Sequence, residues 1–376
     1  MDILYNKIRT PDYLYGYDRD ELKNLIRMVI IPQIKRDASP GTPYADGYRT
    51  NGAMIDGMGS HLIELVLDRI ENIMNWDASF SRRTELIDLD LMDPVRLFIK
   101  NEPHTLEKCA MGRFRLIMSV SIVDKIIEMV FNMHTNKQQI ADWQNIPSKA
   151  GMGFTLDMAG AIYDTCDKHG LENLASADIS GWDWSVKQWL LEAETEYRIR
   201  LQTYASEFYK DFMRKKVLLD SNSIYQFSDG KLVQCDFSGL QNSGKYNTSS
   251  GNSIMRIITA FLVGSNWGIA MGDDCIESTV SDAQSKYLDL GFRCKMYEPI
   301  ERDFEFCSHI FTKDGAYALN VNKSFMKLFQ NDQLSLVEKR LLTMQFEDDI
   351  AACPTYKQVM DCLHRVGWYA KICQRK

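Results

Sequence analysis

The sequence predicts an α+β protein, and three observations carry that expectation. Apolar residues recur at helical spacing from Asp20 to about Ile31, from Ile55 to Trp76, from Ser121 to about Gln139 and from Asn247 to about Val263. Short alternating or apolar runs lie between them, near 95–100, 113–117, 174–178, 267–278, 291–296 and 305–311, and read as strands. Turn residues separate paired runs, most plainly at Met271-Gly272-Asp273-Asp274.

The chain has 376 residues, enough for a large core or for two or three subdomains around one cleft. Its 45% hydrophobic and 25% charged content is that of an ordinary globular protein. No apolar run approaches the roughly 18 to 20 residues of a membrane span. The start, Met1-Asp2-Ile3-Leu4-Tyr5-Asn6-Lys7, lacks the charged-then-apolar order of a signal peptide. Net charge is −7, so a nucleic acid would have to be met by a local basic surface. The nine cysteines form no Cys-x-x-Cys pair and are odd in number, which fits scattered reduced thiols in a cytosolic protein better than zinc or disulfides.

Taken in order, the first helix is expected to stop at Pro32. Residues 39–59, with Ser39, Gly41, Pro43, Gly47, Gly52, Gly57 and Gly59, read as a long loop whose exposed N–H groups and hydroxyls could hold phosphate oxygens, or as a plain surface loop. Val95–Lys100 reads as a strand ended by Asn101-Glu102-Pro103-His104. Arg113–Ile117 reads as its partner across Gly112, which gathers Lys100, Lys108 and Arg115, with Arg113 alongside. Such a basic hairpin suits a triphosphate, though a solvated basic face has the same pattern. Ser121–Asp124 looks like a capping box before the next helix.

Leu174–Asp178 reads as a buried strand ending in a carboxylate. Ser180-Gly181 turns the chain, Asp183 follows, and Ser185 with Gln188 looks like a second capping box. Gly239–Gly244 is a loop. Thr248 and Asn252, four apart, share a face at the start of the helix after it. Gly272-Asp273-Asp274 puts adjacent carboxylates at a hairpin tip, where Gly-Asp-Asp is also an ordinary turn. Adjacent strand residues face opposite ways, so Asp273 is the better direct metal ligand and Asp274 the supporting one. Ser281–Gln284 looks like a third capping box. Gly291–Met296 reads as an edge strand, Glu305–Phe311 as a further strand turning at Lys313–Ala316, and the chain from Ser324 as helical with a break at Pro354.

The order of these pieces, with Lys100–His104, Gly112–Ile117, Ser180–Ser185, Ser243–Ser250, Gly272–Asp274 and Glu305–His309 as they stand, resembles the motif series of viral RNA-dependent RNA polymerases. It is most similar to the sobemovirus, polerovirus and barnavirus group, over roughly residues 39–312. The resemblance implies a closed right hand. Fingers would span 1–173, including the loop 39–59 and the hairpin 95–120. The palm, with its antiparallel sheet, would span 174–312 with a fingers insertion at about 203–238. A small helical thumb would span 313–376. With 38 residues before Ser39 and 65 after Phe311, lean fingertips and a thumb without an elaborated priming loop are expected.

The resemblance also implies RNA synthesis on an RNA template by two Mg²⁺ ions, with Mn²⁺ as substitute, held by Asp178, Asp273 and Asp274. Lys100, Lys108, Arg113 and Arg115 would receive the NTP triphosphate. Asp183, Thr248 and Asn252 would read its 2′-hydroxyl, beside Ser243. Ser39, Gly41, Pro43 and Gly244 would guide template RNA, Phe306, Cys307 and Ser308 would support the primer end, and Lys295 would be a proton donor to pyrophosphate. RNA template, nascent RNA and NTPs are the expected partners, with a protein primer or other viral replication proteins left open, in the host cell cytoplasm or at membrane-associated replication complexes reached through partners. Three alternatives stand beside this reading: a reverse transcriptase-like polymerase, a catalytically inactive palm serving as an RNA-binding scaffold, and a metal-dependent nuclease. Asp183 argues for ribonucleotides, because reverse transcriptases place an aromatic side chain there.

Overall fold

A computed structural model describes residues 5–78, 85–100, 106–329 and 334–369. The chain divides into two compact units. One comprises Met1–Ala141 with Gly181–Met255, the other Asp142–Ser180 with Arg256–Lys376.

The first unit opens with α1 (Arg19–Leu25), capped by the Asp18 carboxylate, which accepts from Glu21 N at 2.9 Å. Its apolar period runs on through a π turn, Ile26–Ile30, and a 3₁₀ turn, Ile31–Gln33, so Pro32 sits inside the last turn. Helix α2 (Asn51–Asn75) starts from Thr50, whose hydroxyl accepts from Ala53 N at 3.2 Å. The predicted loop therefore ends nine residues early: Gly52, Gly57 and Gly59 are helical. Each glycine costs a helix about 1 kcal/mol. Close neighbours explain two of them, since a Cβ on Gly52 would lie 3.2 Å from Arg36 O and one on Gly57 3.0 Å from the Tyr48 ring. Met58, with φ −143°, kinks the helix between Gly57 and Gly59.

Strands β1 (Val95–Ile99) and β2 (Leu116–Ser119) pair antiparallel, with helix α3 (Leu106–Ala110) between them. The hairpin is thus wider than its sequence implied, and Arg113–Arg115 precede the second strand. Asn101–His104 lie outside the described residues. Ser121 caps α4 (Ile122–Ala141), accepting from Asp124 N at 3.1 Å as expected. Arg69 of α2 is buried and bridges Asp90, Asp93 and Asp124, which ties α2 to the start of α4. Leu62, Val66, Ile70 and Ile73 of α2 pack with Ile126, Val130 and Phe131 of α4 in the main core of this unit.

In the second unit, α5 (Leu156–Asp167) precedes β3 (Leu174–Ile179). The first unit resumes with α6 (Trp182–Ser185), α7 (Gln188–Leu201), α8 (Glu207–Ser221), β4 (Ile224–Gln226) and β5 (Leu232–Gln234), completing a sheet of order β2-β1-β4-β5. The expected cap at Ser185 is not made: its hydroxyl donates to Trp182 O at 2.9 Å, closing the single turn α6, and α7 starts after Lys187. Helix α9 (Thr248–Val263) begins in the first unit and ends in the second.

The second unit continues with β6 (Gly268–Met271), β7 (Asp274–Ser278), α10 (Ala283–Asp289) and β8 (Cys294–Pro299). Its main sheet is antiparallel, in the order β6-β7-β3-β8. β8 is an edge strand, as expected, but starts three residues late. Asp282 adopts φ 54° and caps nothing, so the third capping box is absent. The run 305–311 is two strands: β9 (Phe304–Phe306) and β10 (His309–Thr312) fold back at Cys307-Ser308, and β11 (Gly315–Ala318) completes the sheet. Helices α11 (Val321–Phe329), α12 (Leu336–Ile350) and α13 (Tyr356–Arg365) follow, with Pro354 between the last two. Among the described residues no helix is long and apolar enough to cross a membrane.

Cys307 and Ser308 both carry positive φ, 54° and 58°, as a two-residue type I′ loop requires. Neither side chain favours that region, at about 1 kcal/mol or more each. Replacing the pair by Asn-Gly is expected to stabilise the folded protein by about 1 kcal/mol. Denaturant unfolding measures this, and an unchanged or lower midpoint would refute the strain.

Candidate active site

The acidic part lies in the second unit. Asp178 is the penultimate residue of β3, an inner strand flanked by β7 and β8. The β3–β7 register pairs Ala177 with Cys275, and one step further along it Asp178 lies beside Asp274. Facing residues of an antiparallel pair share a face of the sheet. Gly272, with φ 66°, opens the two-residue turn between Met271 and Asp274, and Asp273 stands exposed at its tip. The hairpin is as the sequence predicts.

The electrostatics identify what these carboxylates share. The Asp274 carboxyl is pushed up to about 7, first by burial and then by Asp273, Asp178 and Glu305, while Arg256 acts in the opposite sense. Burial, then Asp178, also raises Glu305. Three carboxylates thus act on a fourth. Glu305 was not among the sequence candidates. Its position was readable in the alternation of β9, where Phe304 and Phe306 are buried and Glu305 turns the other way.

Lys295 owes its aim to a β-bulge. β8 pairs Met296 with Asp178 and Cys294 with Ile179, so Lys295 is the extra residue opposite that step. Its ammonium donates to Asp178 Oδ2, and this contact holds the Lys295 pKa above the usual lysine range. The Cys307-Ser308 turn adjoins the same cluster: burial, then Asp274 and Asp273, pushes the Cys307 thiol up. Phe306 is 1% exposed, so it supports that turn from below. His309 fixes the turn further, its Nδ1 lying 2.9 Å from Cys307 O and its ring stacked on Phe154 at 3.6 Å.

The first unit holds the other candidates. Gly181, left-handed at φ 61°, leads into α6 and sets Asp183 on it. Asn252 of α9 is buried and spans two partners: its Oδ1 accepts from Trp182 Nε1 at 3.0 Å and its Nδ2 donates to Asp183 Oδ1 at 3.0 Å. Indole nitrogen only donates, so Trp182 fixes which way the amide faces. The structure brings Asp183 and Asn252 together. Thr248 differs, because its hydroxyl donates to Asn242 O at 2.9 Å and Lys245 O at 3.1 Å and so closes the loop ahead of α9. On that loop, Ser243 Oγ accepts from Met118 N at 3.4 Å, and a Cβ on Gly244 would stand 2.0 Å from Met118 O. Only glycine lets the loop lie so close to β2. Trp182 was also missed as a site residue, although a tryptophan beside the acidic residue was visible in the sequence.

Lys108, Arg113 and Arg115 are exposed and Lys100 is half-buried. Lys100 N donates to Arg115 O at 2.8 Å and Arg113 N to Lys108 O at 2.8 Å, so the backbone holds the four close in pairs. Like charges set directly across a strand pair repel, which an anionic ligand offsets. Gly41 is buried, and a Cβ there would lie 2.8 Å from Ser121 Cα; Ser39 and Pro43 on either side are exposed.

The profile for viral RNA-directed RNA-polymerase matches residues 68–324. The chain belongs to that family. It is 36% identical to the replicase polyprotein P2AB of Southern cowpea mosaic virus, over 89% of this chain and 35% of that polyprotein. It is 32% identical to the RNA-directed RNA polymerase of mushroom bacilliform virus, over 87% of this chain and 88% of that protein. The relatives come from the sobemovirus, polerovirus and barnavirus group that the motifs resemble. The fold matches the Sicinivirus 3Dpol RNA dependent RNA polymerase with a TM-score of 0.62 at 14% identity, covering 86% of this chain and 69% of that one. The right-hand polymerase fold expected from the sequence is therefore the fold of this chain. It spans about a third of the replicase polyproteins and most of the mushroom virus polymerase.

Among the described residues no group of three or more His, Cys, Asp or Glu side chains is gathered as a ready metal cage. The donor chemistry nevertheless fits a hard divalent cation, since every member of the acidic cluster offers carboxylate oxygen. A raised carboxyl stabilises the fold below its unfolded value near 4, and that contribution is lost as pH rises through about 7. In chelator, wild type is therefore expected to lose on the order of 4 kcal/mol between pH 4 and 8 relative to Asp274→Asn. Parallel unfolding curves for the two proteins across that range would contradict the raised Asp274 carboxyl.

Proposed function

We propose that this polymerase copies RNA from an RNA template, joining NMP from NTP to an RNA 3′-hydroxyl. The crowding of Asp178, Asp273 and Glu305 on Asp274 carries this reading. Asp178, Asp273 and Glu305 all bear on Asp274, and Lys295 contacts Asp178, a concentration of negative charge that suits a divalent cation.

Asp178, Asp273 and Asp274 would hold two divalent ions, Mg²⁺ or Mn²⁺, which supply stabilisation of the attacking and leaving oxygens. Asp178 and Asp273 would be the principal holders of these ions, with Asp274 supporting them. Lys100, Lys108, Arg113 and Arg115 receive the triphosphate and offset charge on the departing pyrophosphate. Lys295 hands a proton to that pyrophosphate, from an ammonium that its Asp178 contact keeps charged. Asp183 and Asn252 read the ribose hydroxyl, in a pair already oriented by Trp182. A site built around a hydroxyl rejects a ligand lacking it, because its own polar groups are then left unpaired.

The remaining assignments complete the reading. Ser39, Gly41 and Pro43 guide the template, with Gly41 setting the loop and the flanking pair meeting RNA. Ser243 and Gly244 face the nascent pair, and Cys307-Ser308 the primer end. Fingers, palm and thumb take the boundaries 1–173, 174–312 with 203–238 inserted, and 313–376. RNA and NTPs are the partners, other viral replication proteins are neighbours, and the host cytoplasm is the compartment.

Asp273→Ala is expected to leave a folded protein with no detectable NMP incorporation on a defined RNA template. Near wild-type incorporation would sink the assignment. In rNTP and dNTP competition on the same template, Asp183→Ala and Asn252→Ala are expected to reduce ribonucleotide preference by at least about tenfold. A preference ratio equal to that of wild type would reject the ribose role.

A further inference from the structure

Behind the Gly272-Asp273 turn lies a guanidinium with no part in the chemistry above. Arg256, on α9, is 0% exposed. Its Nε donates to the main-chain carbonyl of Asp273 at 3.1 Å, and its Nη1 to the Tyr287 hydroxyl at 3.1 Å. Its Nη2 lies 3.6 Å from Glu277 Oε2, to which Tyr287 itself donates at 2.5 Å. Glu277 and Tyr287 are both 0% exposed, and the guanidinium lies over the Tyr287 ring at 5.2 Å. Side chains from β7 and α10 thus converge on the Arg256 guanidinium of α9, and it alone reaches the Asp273 carbonyl.

A buried ion pair is weak support for stability alone, because desolvation consumes most of its attraction. What sets this one apart is its third partner. A two-residue turn leaves its own carbonyls outside the strand ladder, and the one that Arg256 takes belongs to the residue assigned to the metal. The planar fork reaches carbonyl, hydroxyl and carboxylate together, which a lysine ammonium cannot match. Its charge also opposes the crowding of the carboxylates in front of it.

We propose that Arg256 is a positioning residue for nucleotidyl transfer. Through the Asp273 carbonyl it fixes the turn, and with Glu277 and Tyr287 it holds the carboxylates at the spacing that divalent cations require. It touches neither nucleotide nor RNA. The inference rests on Asp273 being a metal ligand, and the experiment separates the two.

Incorporation by the full chain is measured against Mg²⁺ and against NTP for wild type, Arg256→Met, Arg256→Lys, Tyr287→Phe and Asp273→Ala. Arg256→Met is expected to raise the half-saturating Mg²⁺ concentration and lower kcat by about tenfold or more, as loss of a ligand-orienting partner does, with KM for NTP little changed. Arg256→Lys restores part of the loss, and Tyr287→Phe shifts Mg²⁺ dependence the same way by less. A merely structural role lowers Tm and leaves the Mg²⁺ dependence of the folded fraction at wild type, which overturns the proposal. If Arg256→Met fails to fold, wild-type Mg²⁺ dependence in both other variants overturns it equally. Active Asp273→Ala would instead remove the ligand assignment beneath it. Inactive Asp273→Ala with wild-type Mg²⁺ titrations in the Arg256 and Tyr287 variants removes the role of Arg256 alone.

Discussion

A buried carboxyl, Asp274, crowded by three others is the constraint around which the acidic site of the second unit is built. Asp178 reaches the cluster from a strand, Asp273 and Asp274 from a turn, and Glu305 from a separate sheet. Each is held by backbone that cannot retreat. Asp178 lies on β3, between β7 and β8. Asp274 starts β7, paired to Met271 across the turn. Glu305 is fixed by the buried rings of Phe304 and Phe306, and its carbonyl accepts from Ser176 Oγ at 2.9 Å. A cluster that could relax would spread apart. Burial first, and then the neighbouring carboxylates, leave Asp274 with a raised proton affinity.

The first unit carries a different constraint, the fixed orientation of a polar pair. Asp183 and Asn252 would satisfy each other in many orientations if left alone. Trp182 removes that freedom by donating to Asn252 Oδ1, so the amide nitrogen must face Asp183. The loop before α9 is closed by Thr248 and lies against β2 at Gly244. Beneath it, Lys245 bonds Asp220 and lies 3.8 Å from Glu128, and Glu128 also accepts from Tyr246 N at 2.7 Å. These buried contacts give the loop a floor, whereas its Ser243 side faces outward.

Much of this was legible in the sequence where local chemistry decides conformation. Gly272 announces a positive φ, and Ser121 announces a helix start, because each acts within four residues. The misplaced elements share a cause. Ser185 and Ser281 carry the capping pattern, but a pattern does not say where the first helical residue lies. At Ser185 a one-turn helix uses the hydroxyl, and before α10 the residue ahead of the helix is left-handed Asp282. Gly52, Gly57 and Gly59 read as loop because glycine disfavours helix. At Gly52 and Gly57 tertiary packing overrides that preference, with Arg36 and Tyr48 standing where a larger side chain would go. Cys307-Ser308 looks like continuous strand, because neither residue signals a positive φ.

The site residues missed in the sequence are those whose meaning comes only from their neighbours. Glu305 alternates correctly on β9, but nothing local says that it faces Asp178. Arg256 sits mid-helix, where an arginine ordinarily reads as a solvated face. Its burial follows from an acidic residue and a tyrosine 21 and 31 positions later, on elements that meet only after the sheet forms. The motifs mark the groups that would touch substrate and metal, because that chemistry demands particular residue types at particular places in the chain. The groups that hold those side chains still are chosen by packing, and several arrangements could do so. Sequence order therefore identifies the polymerase, whereas the support behind its hairpin becomes visible only in three dimensions.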